Sequence, residues 1–262
     1  MSNLIFKSLE KFPDLIAGMT TRHGGVSEGI FESNNMGILA SEHDDKAIVN
    51  MRAMIRALPV RPWKVAVTRQ VHGTRYAVLG QEPPESAFEP NFSVFPETDI
   101  LMTNEPGVLL ITFYGDCVPI LVYDPEHKAV GLCHSGWKGT SLRAAEALIK
   151  GMIKAYGSRP EALSAVVMPA AGVCCYEVGF DVSSLFEAYP EHLIPFGSKH
   201  KIDLKGINAE ILKSCGVPAE AIEVSPLCTL CDDRFFSNRR DGGHTGRMAA
   251  FACLKDQNEV MV

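Results

Sequence analysis

Cys117 and His134 flank two apolar runs in the segment GDCVPILVYDPEHKAVGLCHSGWKG, residues 115–139. A thiol and an imidazole placed this way have three readings. They are buried packing residues, which is the commonest fate of a single cysteine. They are a nucleophile and its activating base. Or they are two ligands of a soft or borderline metal. If the two runs pair as a hairpin across YDPEHK (residues 123–128), counting back from the turn brings 117 opposite 134 to within a residue. A third ligand separates the readings. His72, in TRQVHGT (68–74), also follows a short strand and precedes a glycine. His72, Cys117 and His134 make a His2Cys set, and three protein ligands with one open position is the arrangement of a catalytic zinc. Such a metal acts as a Lewis acid and acidifies bound water. Cys133, adjacent to His134, points to the opposite face of its strand and stays in the core.

Other chemistry-bearing residues cluster in loops. CTLC at 228–231 is a lone CxxC, and structural zinc needs a second pair. The other close pair is Cys174–Cys175 in GVCCYEVG (172–179); sequence neighbours make poor co-ligands, so neither pair is read as metal-binding. FFSNRRDGGHTGRM (235–248) carries adjacent Arg239 and Arg240, and TTRHGGVSEG (20–29) carries Arg22. The bland reading is solvated turns. The functional one is an anion clamp, because arginine presents a bidentate fork to phosphate or carboxylate.

These residues need a scaffold. Short Val- and Ile-rich runs bounded by Gly, Pro or Asp predict strands at 64–68, 75–79, 99–103, 108–113, 118–123, 129–133, 163–168 and 248–254. Apolar residues at helical spacing predict helices over 44–58, 140–156 and 205–215, with another over 181–189. Strands and helices mix without clean βαβ alternation, which implies an α/β fold of layers with mixed sheets. No GxGxxG or Walker pattern is present. The Pro- and Glu-rich stretch 80–98 reads as a long surface loop or lid within one domain spanning 1–262. The chain has 262 residues, 46% of them apolar and 21% charged, ordinary for a globular protein with a sizeable core. A net charge of −6 gives no footprint for nucleic acid or an anionic membrane. No apolar run approaches the roughly 20 residues that span a bilayer. The first residues lack a secretory pattern. A cytoplasmic location follows as an expectation, with the eight cysteines reduced and mostly buried.

Seven motifs, TRHGGVSEG, NNMG, QVHG, GDCVPILVYDP, HSGWKG, GVCCYEVG and FFSNRRDGGHTGRMAAF, occur in an order that resembles the bacterial YfiH/YlmD type of protein. That family is described as multicopper polyphenol oxidases or laccase-domain proteins, and also as purine nucleoside phosphorylases. The resemblance runs from about residue 15 to 254. It implies one α/β domain of stacked helices and mixed sheets, related to the catalytic domain of cytotoxic necrotizing factors. It implies zinc, or copper, on His72, Cys117 and His134. It further implies phosphorolysis of adenosine, inosine and methylthioadenosine, and hydrolytic deamination of adenosine. On that reading Asp116 orients a ligand histidine or shuttles protons. Arg22, Arg239, Arg240 and Lys138 take phosphate, while Asn35 and Gln70 take ribose hydroxyls or base edges. The chain departs from the family pattern at Tyr114-Gly115, where Thr-Ala is usual. It departs again at Ser135, Lys138 and Met168. A copper-dependent phenol oxidase is one alternative, and two other classes compete. One is a Cys–His hydrolase with Cys117 as nucleophile and His134 as base. The other is a non-enzymatic metal-binding or partner module.

Overall fold

The computed structural model describes residues 3–40, 43–80, 87–89 and 92–256. In chain order the first strands are β1 (Asn3–Leu4), β2 (Leu15–Thr20), β3 (Lys64–Arg69), β4 (Tyr76–Leu79), β5 (Ala87–Glu89) and β6 (Phe92–Pro96). Then come β7 (Ile100–Thr103), β8 (Val108–Tyr114), β9 (Val118–Asp124), β10 (Ala129–Ser135) and β11 (Ser164–Val167). The last are β12 (Glu177–Val178), β13 (Leu193–Phe196), β14 (Lys199–Ile202), β15 (Ile222–Val224) and β16 (Met248–Leu254). The helices are α1 (Ala47–Ala57), α2 (Trp137–Ser141), α3 (Ala144–Tyr156), α4 (Phe180–Ser183) and α5 (Leu204–Ser214).

Among the described residues the strands form three sheets. One runs β1-β2-β16-β8-β3-β6-β5, the second β15-β11-β9-β10-β7-β4, and a small third β12-β14-β13. Both large sheets mix parallel and antiparallel pairs: β3 runs parallel to β8, while β16 runs antiparallel to it. The layers follow from which face each side chain takes. Leu109 and Ile111 of β8 pack with Met51 and Met54 of α1. Leu110 and Tyr114 of β8 turn the other way and meet Leu121 and Tyr123 of β9 between the two sheets. Ile120 and Val122 of β9 face Leu148 and Ile149 of α3 and Ile207 of α5. The order is helix, sheet, sheet, helices, the mixed α/β layering expected from the sequence. Strands β8, β9, β10 and β16 are buried along their whole length. That is why they read as continuous apolar runs rather than as alternating ones. Each fully buried Leu or Ile in these layers contributes about 1.5–3 kcal/mol.

Three expectations are corrected. The stretch 80–98 is not simply a surface loop, because β6 pairs in parallel with β3 and Phe92 and Ser93 are buried. Residues 81–86, 90 and 91 lie outside the described ones, and so does the question of a lid. The helix expected over 140–156 is two helices, broken at Arg143, whose φ of 60° is left-handed. Region 181–189 holds only the short α4 and a 3-10 turn at Ser184–Phe186.

Candidate functional site

The β9–β10 hairpin closes on a four-residue turn, and its register pairs Asp124 with Ala129 and Val118 with Ser135. Extending it one step places Cys117 opposite Gly136, not opposite His134 as counting from the turn suggested. His134 lies two residues back along β10, so the two side chains are diagonal neighbours on one face. Gly136 makes this proximity possible: a Cβ there would lie 2.8 Å from Cys117 Sγ and 3.0 Å from His72 Cδ2. The ligand atoms of His72, Cys117 and His134 all lie within 4.8 Å of one another. The two imidazoles meet edge to face at 4.9 Å. His134 is buried, Cys117 half-buried and His72 exposed. Cys133 points into the helix-facing core and is fully buried, as strand alternation requires.

Asp99 organises the site. Cys133 pairs with Ile100, so register puts Asp99 opposite His134. Its Oδ1 lies 2.8 Å from His134 Nδ1, and its backbone carbonyl accepts the His134 amide at 2.8 Å. The same carboxylate accepts the amides of Val71 (3.2 Å), His72 (3.0 Å) and Gly73 (2.8 Å). These bonds hold the loop in which His72 adopts a left-handed φ of 62°, an uncommon conformation of the kind that collects at functional sites. Burial pushes the Asp99 carboxyl up, but His134 and the loop amides outweigh it and hold its pKa below the usual range. An ionised Asp99 only accepts, so Nδ1 of His134 carries the proton and Nε2 is left to face Cys117 and His72.

Burial likewise pushes the Cys117 thiol up. The charge and hydrogen bond of His134, together with His72, reverse this and bring it down to about 6. Burial pushes His134 down, but Cys117 and Asp99 raise it to about 9. Without a metal the pair is therefore a thiolate and an imidazolium near neutral pH. Alkylation of Cys117 in metal-free protein is expected to rise through pH about 6 and level off above it. An unperturbed thiol titrates near ~8.5. Peptide mapping of iodoacetamide-treated protein checks this; a midpoint near the unperturbed value contradicts it.

The donor set suits a metal. It offers one thiolate and two imidazoles with their ligand atoms converging, a carboxylate behind one histidine, and an open side. That side opens on a cleft of about 330 Å³, lined among others by Thr68, Arg69, Gln70, Phe113, Asn238 and Arg247.

The other residues singled out from sequence are placed as follows. Asp116 does not touch a ligand histidine. Its carboxylate accepts from Thr229 Oγ1 (2.6 Å) and the Arg239 amide (2.7 Å). Gln70 lines the cleft, but its amide is spent on both backbone groups of Phe113, at 2.8 and 2.9 Å. Buried Asn35 bonds Asp44 and the amides of Gly37 and Arg247. Arg22 donates to the Glu32 carbonyl and stacks on Phe236. Arg239 donates to the Glu177 carbonyl and stacks on Tyr176. Arg240 is held by Asp241 and by the carbonyls of Thr229 and Phe235. Exposed Lys138 lies over Trp137, outside the cleft lining. The cleft's cations are instead Arg69 and Arg247, neither anticipated. Arg247 donates to the carbonyls of Thr245 and Gly246. Arg69, the last residue of β3, sits one position before Gln70; its place next to QVHG was the signal available in the sequence.

Residues 16–255 match the profile of the family described as multi-copper polyphenol oxidoreductase laccase. The chain belongs to this family. It is 34% identical over 251 residues to purine nucleoside phosphorylase YlmD of Bacillus subtilis, covering 93% of this chain and 90% of that one. It is 38% identical to a purine nucleoside phosphorylase of Deinococcus radiodurans, covering 88% and 86% of the two chains. The crystal structure of hypothetical protein YfiH from Bacillus licheniformis superposes with a TM-score of 0.89 at 33% identity, covering 97% of both chains. That of YlmD from Geobacillus stearothermophilus gives 0.85 at 33%, covering 94% and 93%. The mixed α/β fold is therefore that of YfiH and YlmD. Among the described residues no helix is long and apolar enough to cross a membrane.

Proposed function

We propose that the chain is a zinc-dependent purine nucleoside enzyme that carries out phosphorolysis of inosine, adenosine and methylthioadenosine and hydrolytic deamination of adenosine. One observation carries the reading: the His72–Cys117–His134 trio and the Arg69 guanidinium line the same cleft. Its volume is at the lower end of the range for small-molecule sites. Zinc bound by the trio supplies Lewis-acid polarisation of the substrate, and the donors also suit copper. The protein's own residues do the rest. Asp99 fixes the tautomer of His134 and the loop that presents His72. Phe113 offers an apolar wall for a purine ring, its position locked by Gln70. Arg69 makes no side-chain hydrogen bond among the described residues and is the group free to hold phosphate beside the anomeric carbon.

Arg69→Gln is expected to raise the KM for phosphate about tenfold or more, given the ~1.5–3 kcal/mol of a charge-assisted hydrogen bond, with a smaller change in the KM for inosine. Initial rates at varied phosphate check this. An unchanged phosphate KM removes Arg69 from the site.

The thiolate–imidazolium pair supports a second reading, a hydrolase with Cys117 as nucleophile. In that case alkylation of Cys117, and not chelation, abolishes activity.

A further inference from the structure

On the far side of Asp116 four more thiols converge. Cys174, Cys175, Cys228 and Cys231 bring all their sulfur atoms within 4.8 Å of one another. Cys175 and Cys231 are 3.0 Å apart, and Cys174 and Cys231 are 3.4 Å apart. From these sulfurs we infer that the protein has a second metal site, a tetrathiolate zinc clamp distinct from the His72–Cys117–His134 trio. Neither pair reads as metal-binding in the sequence, CTLC being a lone CxxC and Cys174–Cys175 sequence neighbours. Here the chain turns. The amides of Cys175 and Tyr176 both bond the Gly172 carbonyl, and this turn presents the two vicinal thiols to one point.

The loops around the four sulfurs are built for close approach. The backbone amide of Gly172 donates to Cys228 Sγ at 3.2 Å. An amide donated to sulfur favours the thiolate form that a metal ligand needs. Gly172 has no room for a side chain: a Cβ would lie 2.9 Å from Cys228 Cβ and 3.2 Å from the sulfurs of both Cys174 and Cys228. A zinc–sulfur distance of about 2.3 Å in a tetrahedron puts sulfurs roughly 3.8 Å apart, so small shifts of the exposed Cys174 and Cys231 close the shell. Four thiolates on a divalent ion leave a net double negative charge. Two lysines stand close. Lys205 is buried and donates to the Ser225 and Leu227 carbonyls at 2.6 and 2.8 Å, and Lys201 donates to the Cys174 carbonyl at 2.9 Å. Zinc displaces the thiol protons on binding, and no oxidant is needed.

The clamp ties together two loops far apart in sequence, and both hold Asp116. Ala171 donates its amide to the Asp116 carbonyl at 2.9 Å, and Thr229, inside CTLC, donates its hydroxyl to the carboxylate. Asp116 has a left-handed φ of 92° and precedes Cys117. The clamp is thus a positioning device for the chain that delivers Cys117.

The test is zinc content per chain, measured by elemental mass spectrometry on protein purified under reducing conditions. Wild type is expected to hold a second equivalent of zinc. The Cys174→Ser/Cys231→Ser variant is expected to hold one, and His72→Ala/Cys117→Ala to hold the other. Cobalt loaded into the His72→Ala/Cys117→Ala protein is expected to give the absorption of a tetrahedral tetrathiolate. That arm stands even if the serine variant fails to fold. A single equivalent in wild type that is lost with His72 and Cys117 overturns the inference. So does a disulfide among the four cysteines in the intact mass, or iron in place of zinc.

Discussion

Cys117→Ala and His72→Ala are each expected to lower inosine phosphorolysis on the order of 10³-fold in kcat/KM. A bound metal contributes several kcal/mol to stabilising developing charge, and each 1.36 kcal/mol is tenfold in rate. Losing one of three protein ligands leaves a pair that holds the ion weakly. The two substitutions together make the discriminating experiment. In a Cys–His nucleophile Cys117 is indispensable, whereas exposed His72 only lends a hydrogen bond, so its removal costs roughly tenfold or less. In a metal site the two losses are comparable. Steady-state kinetics with zinc content measured on the same samples decides it. A His72→Ala enzyme that keeps activity while Cys117→Ala loses it contradicts the metal reading.

Asp99→Asn is expected to weaken zinc binding by about 10–100-fold, the usual cost of losing a carboxylate behind a ligand histidine. It is also expected to destabilise the fold by about 1.5–3 kcal/mol, because the amides of residues 71–73 lose a charged acceptor. Both effects come from one side chain because Asp99 holds both ligand histidines. Zinc titration against a competing chelator reads the first, and denaturant unfolding of metal-free protein reads the second. A variant with wild-type zinc affinity would show that Asp99 braces the loop alone.

His72, Cys117 and His134 were legible in the sequence because each sits at or near the end of an apolar run, and such ends converge in layered α/β folds. Asp99 was not, because its relation to His134 exists only through the register of β7 against β10, which no local pattern encodes. Arginine pairs in glycine-rich loops look the same whether they clamp a ligand or a carbonyl. Arg22, Arg239 and Arg240 turned out to bind backbone carbonyls. The tetracysteine cluster joins pairs more than fifty residues apart, with Cys174 and Cys231 separated by 57 positions. Strand β6 was hidden by the Pro- and Glu-rich composition around it, although Phe92 and Ser93 are buried beside β3. The layered α/β character was readable because fully buried strands leave unbroken apolar runs.

The most direct test of the central claim is release of free base from inosine, with and without phosphate, before chelation, after it, and after zinc is restored. The expected result is hypoxanthine and ribose 1-phosphate in equal amounts, only when phosphate is present, lost on chelation and recovered with zinc. Phosphate-dependent turnover that survives complete metal removal, or no base release under any condition, contradicts the account.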